Sequence, residues 1–139
     1  MNDALLALHF IGLMMGAGGG FGSAIVARVA NSKPPEQAAT LRTLGPILAR
    51  FAHIGLGILW VTGLIMIWSV YGGPEHLPEL FWIKAIFIVS LTVAAIATEL
   101  TYADIKKGNM KAAARLPKIG PIAGISALLA AVTAAFAFH

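Results

Sequence analysis

The 139-residue chain has no cysteine, which excludes a disulfide framework, a thiolate metal cluster, a thiol nucleophile and a covalently attached c-type haem. Charge is almost as scarce: Lys and Arg number 10, Asp and Glu 6, together 12% of the residues. So few charged groups cannot clothe the water-facing surface of a domain this size. What fills the chain is apolar, at 58% hydrophobic residues and a mean hydropathy of +0.83, above the roughly 45–50% of soluble domains. The same abundance excludes disorder. The natural solvent is a lipid bilayer. A net charge of +4 and a pI near 9.8 raise nucleic acid as a partner. The basic residues, however, sit just outside apolar segments, where membrane topology accounts for them, and no nucleic-acid binding is expected.

Four long apolar segments, about 4–30, 47–71, 80–103 and 119–139, each reach the ~20 residues that cross a ~30 Å hydrocarbon core as a helix. The expected fold is all-α: a single transmembrane domain over 1–139, an up-down-up-down four-helix bundle. The first segment carries Asn2 and Asp3 where a signal peptide has basic residues, so it is expected to remain in the mature protein. Breakers fill the three connections: Pro34-Pro35 within 31–45, Gly72-Gly73-Pro74 to Pro78, and Gly108-Asn109 within 106–118. Arg28, Lys33, Arg42 and Arg50 flank the first connection, and Lys106, Lys107, Lys111, Arg115 and Lys118 lie in the third; together they are nine of the ten basic residues. The N-terminus and middle connection carry Asp3, Glu75 and Glu79. The positive-inside rule therefore makes the first and third connections cytoplasmic and puts both termini outside the cytoplasm. Trp68, Tyr71, Phe81 and Trp82 form an aromatic belt at the outer interface.

Ionisable residues within apolar spans are costly and face a bundle interior or cavity. His9 and Lys84 fall in one outer layer, and Arg50, His53 and Glu99 in a second layer toward the cytoplasmic side. His9 shares a helical face with Gly12, Gly16 and Gly20, while Gly18 and Gly22 make a second small-residue pair. Such rows serve helix packing, including a homodimer, or leave a bare surface for a flat cofactor beside a His ligand. Lys84 violates positive-inside, and its partner is Glu79 or Glu75 at the surface or an anionic group within the bundle. The alternative is a stem that snorkels to the interface. His53 and Glu99 are expected to meet, either as a lock between the second and third spans or as a proton relay completed by Arg50 or Tyr102. Trp60 reads as core. Antiparallel counting puts His9 and His53 roughly 15 Å apart in depth, which disfavours both as axial ligands of one haem. Met14-Met15 near His9 could hold Cu(I) or simply pack. The glycines of 16–22 lie inside a span with no preceding strand, so a dinucleotide loop fails on context. His76 and His139 carry no weight.

The runs Leu8-His9-Phe10-Ile11-Gly12, Phe81-Trp82-Ile83-Lys84 and Lys106-Lys107-Gly108 resemble the small membrane proteins of the HemJ and CopD-like group. The likeness spans nearly the whole chain on few identities, and Gly16 and Ile25 stand where the HemJ pattern has a Trp and an Arg. In HemJ-type protoporphyrinogen oxidases a His on the first helix and a Lys opening the third are the functional pair associated with haem b. The resemblance therefore implies haem b with His9 as ligand and His9 and Lys84 as the catalytic pair, and expects Gly12, Gly16 and Trp82 to face the cofactor. It implies porphyrin as substrate, quinone as electron acceptor and a bacterial inner membrane as location. The rival expectations are CopD-like copper or proton transport and a non-enzymatic membrane assembly subunit.

Overall fold

The computed structural model describes residues 2–137, and its regular structure over them is entirely helical. The elements are α1 (Asn2–Asn31), α2 (Pro35–Arg42), α3 (Leu44–Ser69), α4 (Glu79–Lys106) and α5 (Leu116–Ala137), with short 3-10 turns at Pro74–His76 and Met110–Arg115. Met1, Phe138 and His139 lie outside the described residues, so the expected end of the fourth span at 139 lies there too.

The first connection differs from the irregular breaker its Pro34-Pro35 suggests. Pro35 occupies the first turn of α2, where its fixed φ is already helical and its missing N–H costs nothing. Glu36 through Ala39 are then good helix formers, and Ala38 is buried. The fourth span likewise begins at Leu116 rather than 119, because the 3-10 turn over Met110–Arg115 runs straight into it. In the middle connection Gly72 (φ 74°) and Gly73 (φ 132°) take the left-handed backbone that reverses the chain.

Each of four stretches, 3–31, 35–69, 79–106 and 110–136, is long and apolar enough to cross a membrane. Their packing is by small residues. The buried apolar set is alanine apart from Leu56, and Thr101 is the largest fully buried side chain. Large apolar side chains point outward instead, with Met14 and Phe136 each 73% exposed. A water-soluble bundle would bury these groups. An outer surface of this kind is compatible with lipid, and an interior of small residues is how helices associate there.

The tightest contact is between α1 and α3. A Cβ on Gly55 would stand 2.5 Å from the Gly16 nitrogen and 2.6 Å from the Gly12 oxygen, and one on Gly19 would stand 2.6 Å from the Leu48 oxygen. Only glycine permits that approach. Helix α4 packs along α5 and α1 touches α5, whereas α3 and α4 approach each other sparsely.

Gly55→Val should therefore destabilise the bundle by about 1–3 kcal/mol through overpacking. Gly18→Ala, with nothing within 4 Å of the added carbon, should leave the melting temperature in detergent unchanged or raised. Equal losses in the two variants would contradict the close α1–α3 contact.

Candidate functional site

Two polar layers stand out against this apolar, small-residue interior. In the first, His9 of α1 reaches α3, where its Nδ1 lies 2.8 Å from Thr62 Oγ1. Thr62 has a single hydroxyl proton and donates it to its own helix, at the Ile58 carbonyl 2.6 Å away. Toward the imidazole its oxygen can only accept. In that arrangement His9 donates from Nδ1–H, and in the neutral ring the Nε2 lone pair is then the available acceptor or ligand. The ring lies beside Gly63, where a Cβ would stand in ordinary contact, 3.7 Å from His9 Cε1. Lys84 of α4 lies close enough to act electrostatically on His9, so the outer pair shares one region of the bundle. Its Nζ also stands 6.0 Å from the centre of the Phe81 ring, at the limit of a cation–π contact.

The neighbouring glycines are used differently from a cofactor face. Gly12 is covered by α3, where an added Cβ would meet the Gly55 oxygen at 2.9 Å and Ile58 Cγ2 at 3.0 Å. Gly16 and Gly20 line an interior cavity deeper in the bundle. Trp82 is 55% exposed and meets Phe81 edge-on at 5.7 Å. Met14 and Met15 lie about 140° and 120° around α1 from His9. They line a surface hollow with Ile11 and Phe51, and the sequence grouping of His9 with the two methionines does not become one donor set. Among the described residues no three His, Asp or Glu side chains gather as a metal cluster.

In the second layer His53 of α3 and Glu99 of α4 meet, with Nδ1 to Oε1 at 2.7 Å. The histidine side chain is 23% exposed and the glutamate 60%. His53 also lines the cavity of about 80 Å³, whose wall comes from α1, α3, α4 and α5 and includes Ser23, Ala52, Thr98 and Gly124. Tyr102 turns its hydroxyl toward Gly45, where a Cβ would stand 2.8 Å away. Ser23 and Glu99 both act on that hydroxyl. Arg50 is exposed and makes no contact with the His53–Glu99 pair among the hydrogen bonds and ion pairs of the described residues. The two layers are separate: His9 meets α3 nine residues beyond His53, about 13 Å along the helix.

A third polar link joins α3 to α4. Trp60 Nε1–H donates to Thr92 Oγ1 at 3.0 Å, and Thr92 donates in turn to the Ile88 carbonyl. Trp60 is thus a bridge and 37% exposed, rather than core. Sequence reasoning missed Thr62, Thr92 and Ser23, because a threonine in an apolar span is ordinary; the available signal was a Thr on a helix facing a ring nitrogen at matched depth. Comparison with family models, curated proteins and solved structures finds no match to this chain.

Replacing Thr62 with Val removes the acceptor that fixes His9. The expected outcome is a mixture of His9 tautomers in ¹⁵N spectra where the unsubstituted chain has one, with a stability loss of about 1–3 kcal/mol for the orphaned donor. An unchanged tautomer would show that Thr62 does not orient the ring.

Proposed function

We propose that the protein is an integral-membrane haem b-binding redox protein whose outer layer holds the haem, with His9 as axial ligand. The observation that carries this reading is the Thr62 hydroxyl. With its own proton given to Ile58 it accepts from His9 Nδ1–H and keeps Nε2 open for a ligand, the kind of arrangement by which protein scaffolds orient ligating histidines. Lys84, close to His9, is the group that would pair with a haem propionate or supply a second ligand. One-electron chemistry is what a bound haem supplies, and its potential follows from ligand identity and burial. The chain's own residues orient the ligand and place a cation beside it. In the enzymatic form of the reading, which the HemJ-like resemblance alone supports, electrons pass from a porphyrinogen to a quinone.

The accompanying topology follows the charge distribution. Nine of the ten basic residues flank or fill the first and third connections, so these face the cytoplasm and both termini lie on the other side. A copper-handling reading is less well supported, since His9 and the methionines point apart.

An oxidised and dithionite-reduced visible spectrum of the detergent-purified protein, expressed with ample haem, tests the proposal. A Soret band with reduced α and β bands is expected, and His9→Ala should abolish it. A featureless spectrum in the unsubstituted protein, or an unchanged one in His9→Ala, would overturn the assignment.

A further inference from the structure

The His53–Glu99 pair has a geometry that a simple lock between helices does not require. Glu99 is 60% exposed while His53 is 23% exposed, and His53 but not Glu99 lines the interior cavity. The imidazole therefore stands between a carboxylate at the rim of the bundle and a partly open hollow among the four long helices. Its Nδ1 is engaged by Glu99 Oε1, so Nε2 is the nitrogen left for the cavity. At about 80 Å³ the cavity has room for a small number of waters. Polar partners for them are present in Ser23, His53 and Thr98.

Depth makes the rim reachable from water. Glu99 is seven residues, about 10 Å, from the Lys106 end of α4. A 28-residue helix is about 42 Å long and, when centred, exceeds a ~30 Å hydrocarbon core by about 6 Å at each end. The carboxylate then sits about 5 Å inside the apolar boundary at the basic end of the bundle. Deeper, an exposed carboxylate would be prohibitively costly; here it can meet the interface.

We propose that Glu99, His53 and the cavity form a proton port at the basic end of the bundle, in which Glu99 exchanges protons with water at the rim and His53 passes them inward. The protonated carboxyl gives its proton to His53 Nδ1 along the 2.7 Å hydrogen bond. The imidazolium so formed releases its Nε2 proton to cavity water; the reverse transfers, Nε2 taking a proton from cavity water and Nδ1 returning one to the Glu99 carboxylate, restore the starting tautomer. One proton enters and one leaves, with no change of oxidation state. The groups facing the pair are few. Tyr102 is the ionisable neighbour on α4, acted on by Glu99, and Ser23 of α1 is a neutral hydroxyl beside it. Arg50, one turn from His53 on α3, is exposed. Helix α5 presents only glycine and alanine to the cavity.

The inference rests on the bilayer reading of the helices and not on haem. Its test is ¹⁵N-imidazole spectroscopy of the full chain in lipid nanodiscs, read as exchange of the ring protons with water. The His53 ring protons should exchange with water, and that exchange should slow roughly 10²-fold in Glu99→Gln, the scale of a lost acid–base group. Glu99→Asp should retain most of the exchange. A His53 ring whose protons do not exchange with water in the unsubstituted chain would overturn the port whether or not the variants fold. So would equal exchange in the native and Glu99→Gln proteins. Neither readout depends on a Soret band, so failure of the haem assignment and failure of the port remain distinguishable.

Discussion

The backbone contact between α1 and α3 is the constraint from which the rest of the arrangement follows. Gly12, Gly19 and Gly55 bring two helices so close that no Cβ fits at any of the three. In a bilayer, which offers no hydrophobic drive for association, dispersion across such a seam is what holds helices together. With α1 and α3 fused along their middle, and α4 and α5 paired beside them, the bundle has two tight pairs and one loose seam. Side chains larger than alanine can enter the interior only where backbones diverge. His9 enters beyond Gly12, against Gly63, and His53, Trp60, Thr92 and Glu99 bridge the open seam between α3 and α4.

Threonine supplies the local logic at two of those places. In a helix a threonine hydroxyl can donate to the carbonyl one turn back, as Thr62 and Thr92 do toward Ile58 and Ile88. Having donated, it can only accept, and each finds a ring N–H: His9 for Thr62, Trp60 for Thr92. A buried ring nitrogen is thus satisfied without a charge, which matters where an unpaired polar group costs several kcal/mol. At His9 the consequence reaches further than satisfaction, because the choice of acceptor decides which nitrogen keeps its lone pair.

Much of this was legible in the sequence. Apolar run length alone located the four spans, since ~20 residues is a demand of the bilayer and not of any particular fold. Antiparallel counting matched His9 with Lys84 and His53 with Glu99, because rise per residue converts position into depth. What could not be read was rotation about each helix axis in relation to its neighbours. A GxxxG row says that something comes close, and at Gly12 the visitor is the backbone of α3 and not a flat ring. The helix in the first connection was hidden for a different reason. Pro34-Pro35 reads as a breaker when its position is unknown, yet Pro35 begins α2, where proline favours a helix.

Interior composition also explains why the polar chemistry falls into layers instead of a continuous path. A bundle lined by alanine and glycine can support only isolated polar groups, each needing a partner from another helix. Partners are available where two helices carry them at one depth: His9 with Thr62 and Lys84, Trp60 with Thr92, Ser90 with Ser126 at 3.0 Å, and His53 with Glu99. Of these, the Ser90 and Trp60 links are fully neutral, and they are the ones that lie between the two ionisable layers along the spans. The ionisable groups stand toward the two ends, where desolvation is least severe. The paired ionisable side chains of the bundle are thereby confined to two layers, and the neutral middle separates them by about 13 Å of helix.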